Sequence, residues 1–323
     1  MEKTTKELKH VIYYDNRLGR NDGPPLYYYN AMKNKLKWDI VHLIPQGNTL
    51  KDVGPVDFHW WIDWGEDALQ YPEWEIPKDG GKTIYVASDT HLDNGYRLKK
   101  AEKFDYVFFN QKSAVEQYVK GQSLPFVKQG KIIDGVYRMT NRPQAVSWLP
   151  HAFEPQAYPN QETLKKYDVG FIGHMQQDAP NYNGMSRVQA LDRLFKEFPN
   201  FFYGSRHPAF PGKNLFEDAA RRFSESKIVF NISIRDDINM RVFEVLGTGS
   251  FLLTNWLPTL EELFENGVDL VTYKSYDEMI EKAKYYLEND EEREKIALNG
   301  YLKNIKNNLY THRIEKIKSI VEF

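Results

Sequence analysis

The chain has 323 residues, enough for two domains of about 150 residues that each bury a core. Its 41% hydrophobic and 27% charged residues are those of a soluble globular protein, and a net charge of −2 excludes the global basic field that dominates strong duplex nucleic-acid binding. It contains no cysteine, which removes disulfides, thiolate nucleophiles and cysteine-ligated zinc together.

The N-terminal MEKTTKELKH carries charge where a signal peptide needs an apolar core, and no later run is long enough to span a membrane, so a cytoplasmic location is expected. The eight histidines show neither H-E-x-x-H nor a close pair, so no metal site is expected. Residues 10–15 read as a buried strand, followed by a Gly- and Pro-containing loop and a helix over 26–36 with Tyr28, Met32 and Leu36 on one face. That loop lacks G-x-G-x-x-G, which disfavours a nicotinamide dehydrogenase. Strands follow at 38–44, 56–63, 83–89 and 106–110, with helices at 96–103 and 113–121 between the later ones. Such alternation predicts a parallel sheet covered on both faces. Asp63, Asp89 and His91 then stand at or just past the carboxyl ends of strands.

Residues 122–144 break the alternation, and two readings stay open: a hairpin around Gly135, or a surface loop. A strand at 145–150 leads into HAFEPQAYPNQ, whose two prolines and weak periodicity read as an interdomain linker, with a boundary near residue 158. The second domain restarts the pattern. A strand over 167–175 ends in Gly173 and His174, and an amphipathic helix over 186–198 carries Val188, Leu191, Leu194, Phe195 and Phe198 on one face. A strand at 201–205 and a helix near 214–223 precede the stretch KIVFNISIRDDINMRVFEVLGTGSFLLTNW over 227–256.

That stretch reads as strand, loop, helix and strand, with Gly247 and Gly249 closing the helix. In an open parallel sheet the loop from Ser233 to Asn239 and the helix start behind it face the ligand crevice. Glu244 lies in an otherwise apolar helical segment, where a carboxylate is costly without partners, and the vicinal hydroxyls of a nucleoside ribose would supply two donors. Arg241, three positions earlier, offers the other reading, a plain salt bridge. Beyond a last strand at 268–273, helices are expected over 276–287, 291–299 and 302–321.

The string Asn231, Asn239, Arg241, Phe243, Glu244, Gly247, Gly249, then LLTN and the downstream DLVTYKSYDEMIEKAKYYLENDEEREKIALNGYLKNIKNNLYTHR, resembles the C-terminal half of CgeB-like glycosyltransferases. These are named after a spore-maturation protein and are similar to the broader two-domain GT-B glycosyltransferases. The likeness covers residues 168–315, with softer echoes at DTH (89–91) and WLPHAFEP (148–155). It implies an α/β GT-B fold. Two Rossmann-like domains, 1–158 and 159–305, would face a central cleft with parallel sheets, and a terminal helix over 306–323 would cross back to the first domain. Retaining members hold the donor with two glutamates spaced E-x7-E; here Glu244 is the second and Asp236 replaces the first.

The expected function is metal-independent transfer of a sugar from a nucleotide-diphosphate-sugar, UDP-, GDP- or TDP-linked, with no further cofactor. Glu244 would hold the nucleoside. Gly173, His174 and the arginines Arg187, Arg206, Arg235 and Arg241 would meet the diphosphate, because a guanidinium binds phosphate oxygens bidentately. Asn231, Asn239 and Gly247 belong to the same expected donor site. Asp236 would contact the sugar in a retaining reaction; an inverting one would draw its base from Asp89 or His91. The acceptor, whether protein, glycan, small molecule or modified base, is not encoded in any motif. Two rivals share the architecture or the donor site: a nucleotide-sugar epimerase, and a binding protein without turnover.

Overall fold

The computed structural model describes residues 8–14, 23–38, 41–45, 55–63, 79–88, 90, 94–121, 130–139, 142–173, 180–204 and 215–323. The chain divides into two compact units, Met1–Pro150 with Tyr310–Phe323, and His151–Leu309.

The first unit runs β1 (His10–Tyr14), α1 (Pro24–Asn30) with a π-helical extension Ala31–Lys35, β2 (Val41–Pro45), β3 (Phe58–Asp63), β4 (Lys82–Ala87), α2 (Asn94–Ala101), β5 (Tyr106–Phe109), α3 (Lys112–Lys120), β6 (Gly130–Ile133), β7 (Val136–Met139) and β8 (Ala145–Trp148). They form one sheet in the order β2-β1-β3-β4-β5-β8-β7-β6. The first six strands are parallel, and every residue of β3 and β5 is buried, as unbroken apolar runs require when both faces are covered. Of the two readings of 122–144, the hairpin is the one that forms: β6 and β7 pair antiparallel, and β7 pairs antiparallel with β8. Asp134 and Gly135 turn it with φ of 51° and 76°, the positive values that a two-residue hairpin loop demands. The sheet is therefore mixed rather than wholly parallel.

The second unit runs β9 (Tyr167–Ile172), α4 (Arg187–Glu197), β10 (Phe201–Gly204), α5 (Leu215–Ser224), β11 (Ser226–Asn231), α6 (Met240–Gly247), β12 (Leu252–Asn255), β13 (Val271–Tyr273), α7 (Tyr276–Glu288) and α8 (Asp290–Asn307). Its five strands are all parallel, in the order β10-β9-β11-β12-β13. Leu191 and Leu194 of α4, Ile228 and Phe230 of β11, Leu253 of β12 and Met279 of α7 share one core. Ser186 caps α4 by accepting from the Gln189 amide, and Ser275 caps α7 by accepting from that of Glu278.

Three expectations need correction. The stretch read as a linker is packed into the second unit: Phe153 and Tyr158 are fully buried, and the Phe153 amide donates to Asn308 O at 2.7 Å. Gly247 does not turn the chain. It lies inside α6 against the Phe153 ring, which a Cβ would strike, and Gly249 alone takes the positive φ, 72°. The helix expected over 302–321 is two, because α8 continues to Asn307 and the chain breaks at Leu309, which bridges to Phe153. After the break, α9 (Tyr310–Val321) belongs to the first unit. There Tyr310 meets Tyr27 and Tyr28, Arg313 Nε donates to Pro150 O at 2.9 Å, and Lys316 Nζ donates to Trp148 O at 2.7 Å.

In the first unit His10 is stacked between Trp38 and Phe58, ring centroids 4.6 and 5.1 Å away, and its Nδ1 accepts from Trp60 Nε1 at 3.1 Å. Burial lowers its pKa from 6.5 to about 4, with Asp57 acting in the opposite direction. Below pH 6.5 the unfolded chain takes up a proton that the folded one refuses, so stability present above that pH is lost as the pH falls towards 4. Urea unfolding across that window is expected to show a loss of up to about 3 kcal/mol, which His10→Gln, an acceptor that does not titrate there, should largely abolish.

Candidate functional site

Loops at the carboxyl ends of parallel strands face outward from the sheet, and in the second unit the polar residues gather there. Asn231, the last residue of β11, is fully buried and organises the edge. Its Oδ1 accepts from Arg241 Nη1 at 2.6 Å and from Asn239 Nδ2 at 3.2 Å, its Nδ2 donates to Thr254 Oγ1 at 2.9 Å, and its carbonyl accepts from the Tyr273 hydroxyl at 2.7 Å. The parallel register of β11 on β12 sets Asn231 against Thr254, which makes the side-chain bond possible.

Arg241, in the first turn of α6, reaches back to the end of β9. Its guanidinium carbon lies 4.6 Å from the centroid of Phe171. A Cβ at position 173 would run into that guanidinium and into the Phe171 ring, so only glycine leaves both where they are. The Gly173 amide donates to Gly204 O at 2.9 Å and its carbonyl accepts from the Tyr203 hydroxyl at 3.2 Å. Next to this group, buried Arg187 at the start of α4 donates from Nη2 to Ile232 O at 3.0 Å. Burial lowers the Arg187 pKa, against the pull of Tyr273 and Asp237.

The loop that begins at Pro180 joins the same edge. The Arg235 amide donates to Pro180 O at 3.0 Å, and the Ser233 amide donates to Asn255 Oδ1 at 2.7 Å. Several buried polar atoms here have no hydrogen-bond partner among the described residues: Ser233 Oγ, Asn239 Oδ1, Asn255 Nδ2 and Asn181 Nδ2. An unpaired buried polar group costs about 1–3 kcal/mol, so such a concentration at one sheet edge singles it out as the candidate site.

Of the residues predicted from sequence, Gly173, Arg187, Asn231, Arg235, Asn239 and Arg241 lie at this edge and Glu244 one turn into α6, whereas Gly247, expected in the same donor site, ends α6 against Phe153, at the end of the helix away from the edge. Arg235 is exposed with φ 51°, Asp236 follows it half-buried, and Glu244 is buried in α6. The alternative of Arg241 serving only a salt bridge with Glu244 does not account for its Nη1, which Asn231 takes. Gly173 serves first to admit Arg241, a role the sequence did not reveal. Asp89, His91, His174 and Arg206 lie outside the described residues. Sequence reasoning passed over Asn181, Ser233 and Asn255, since no motif marks a small polar residue at the end of a strand. In the first unit, Asp63 accepts from the Tyr85 hydroxyl at 2.6 Å and from Lys100 Nζ at 3.3 Å, with Arg97 Nε 3.7 Å away, in a buried ion cluster. Among the described residues no group of three His, Cys, Asp or Glu side chains is placed to hold a metal.

Known proteins bear on this arrangement. Residues 187–319, which include α4, β11 and α6, match the family model described as Glycosyl transferase-like. Among solved structures, HepE of Anabaena in complex with UDP and glucose is 11% identical, with a TM-score of 0.56 over 98% of this chain and 100% of that one. Sucrose-phosphate synthase of Thermosynechococcus elongatus is 8% identical, with a TM-score of 0.59 over 98% of each chain. A glycosyltransferase of Rickettsia africae is 10% identical, with a TM-score of 0.56 over 98% of each chain. No curated protein matches the chain. The fold is that of GT-B glycosyltransferases, and the matched region is glycosyl transferase-like.

Removing the hub residue should be costly without any ligand present. Asn231→Ala strands Arg241 Nη1, Asn239 Nδ2 and Thr254 Oγ1 at once, and is expected to lower the unfolding free energy by about 2–4 kcal/mol in urea titrations. Asn239→Ala, which removes one long bond, should lower it by about 1 kcal/mol or less.

Proposed function

We propose that the protein is a glycosyltransferase that binds a nucleotide-diphosphate-sugar at the carboxyl edge of the second unit and passes the sugar to an acceptor. The observation that carries this reading is the Arg241 guanidinium laid over Gly173 by Asn231, with Asn231 and Arg241 inside the glycosyl transferase-like region. One solved neighbour, HepE of Anabaena, holds UDP, UDP with glucose, or UDP-glucose in its three structures, which supports a uridine donor first. The match to a glycosyl transferase-like family favours transfer over epimerisation.

Glycosyl transfer needs a diphosphate leaving group whose charge is stabilised as the anomeric bond breaks. Arg241 is held in place before any ligand arrives, because Asn231 and the Phe171 face fix it from two sides, so little reorganisation is needed on binding. The N-terminus of α6 adds a favourable dipole at the same edge. With arginine as the cation, a bound metal is not needed for this step. Arg235, exposed beside Asp236, would meet the outer phosphate or the sugar. Glu244 takes the ribose hydroxyls in this reading. The Asp236 and Glu244 spacing supports a retaining reaction of CgeB-like type; an inverting one would use Asp89 or His91 as base.

Two measurements test this. Glu244→Ala should raise the Kd for UDP by about tenfold or more while the folded structure is kept, since two hydroxyl bonds to a carboxylate are lost; unchanged affinity removes Glu244 from the site. Hydrolysis of the donor, followed as UDP release, should persist in EDTA, and a complete loss restored by a divalent cation would overturn the arginine assignment.

A further inference from the structure

Tyr182 and Trp256 stand at the outer rim of this same edge. Tyr182 meets Trp256 edge-on, centroids 5.7 Å apart at 61°, yet leaves 51% of its surface exposed. Trp256 is held by its Nε1–H on Glu261 Oε1 at 2.7 Å and by Lys274 Nζ 4.2 Å from its ring centroid. An exposed tyrosine against a tryptophan locked on two other sides makes a fixed aromatic corner.

Immediately behind each ring sits an amide with spare donors. Asn181, next to Tyr182, accepts through Oδ1 from the Asn183 and Met185 amides at 2.9 and 2.8 Å, which assigns Nδ2 to its other end. Asn255, next to Trp256, accepts through Oδ1 from the Ser233 amide, which assigns its Nδ2 in the same way. Both Nδ2 groups and Ser233 Oγ are buried without a partner among the described residues. The loop after Pro180 is tied to the one after β11 by the Asn181–Arg235 bridge, so these groups belong to one locality.

From this we infer that Tyr182 and Trp256, with Asn181, Ser233 and Asn255 behind them, form a carbohydrate-ring subsite distinct from the Asn231–Arg241 group. A pyranose has an apolar C–H face and a girdle of hydroxyls that both accept and donate. The aromatic corner takes the face, the two amides donate to hydroxyl oxygens, and Ser233 Oγ does either. The inference rests on reading the second unit as the sugar-donor unit, and the ring is either the donor's sugar or a sugar of the acceptor.

The full chain is titrated by calorimetry with UDP and with UDP-glucose, and free glucose is followed by saturation-transfer NMR, for the wild type, Tyr182→Ala, Trp256→Leu and the conservative Tyr182→Phe. Tyr182 is exposed, so its variants are expected to fold as the wild type does. A donor-sugar subsite predicts that Tyr182→Ala and Trp256→Leu leave UDP affinity within twofold but weaken UDP-glucose by about three- to tenfold, with Tyr182→Phe unaffected. An acceptor-sugar subsite predicts unchanged UDP-glucose affinity and loss of the free-glucose signal alone. Equal weakening of UDP and UDP-glucose would mean that the corner holds the base, and overturns the inference, as does no change in any arm. Should the wild type bind no UDP at all, the donor-site reading fails separately, and the glucose arm still decides the rim.

Discussion

The polar edge of the second unit depends on one close approach: the guanidinium of Arg241 lies over residue 173 because that residue has no side chain. Asn231 makes the approach permanent. Its Oδ1 is shared between Arg241 and Asn239, and its Nδ2 and carbonyl are held by Thr254 and Tyr273. Four elements, β11, β12, β13 and α6, are joined through that one buried residue. A cation fixed in this way is ready to meet an anionic ligand without first losing side-chain freedom, the usual entropic cost of recruiting arginine.

The same edge shows how satisfied and unsatisfied polar groups divide a site. The Asn231 group is closed on itself and supports geometry. Asn181, Ser233 and Asn255 are each half-used, one end of the amide or the backbone bonded and the other end not. Half-used groups are costly in the free protein, and their concentration beside an exposed aromatic corner is the basis of the proposed sugar subsite. Their contrast with the ion cluster around Asp63 is instructive. There the carboxylate is met by Tyr85, Lys100 and Arg97, and Lys100 is further covered by Trp61 at 4.5 Å.

Much of the fold was legible because each layer is written in local chemistry. The strand Tyr106–Phe109 is a continuous apolar run, Phe58–Asp63 is apolar but for His59 and Asp63, and α4 and α7 begin at capping serines. Misreadings came where proline or glycine was taken at face value. Pro155 and Pro159 suggested a linker, but Phe153 before them and Tyr158 between them are large rings that find a core. Gly247 does end the helix, but it makes room for Phe153 there while Gly249 turns the chain.

The sequence by itself determined the two α/β units, the strand-loop-helix-strand stretch over 227–256 and the charged and small residues that ring it, since periodicity and residue type are properties of short segments. Tertiary structure alone decided which of those residues meet. The pairing of Asn231 with Arg241, the glycine beneath the guanidinium and the Asn255 bond to Ser233 all depend on strand order and register. Those are set by burial across the whole sheet, a sum over distant residues that no local pattern contains.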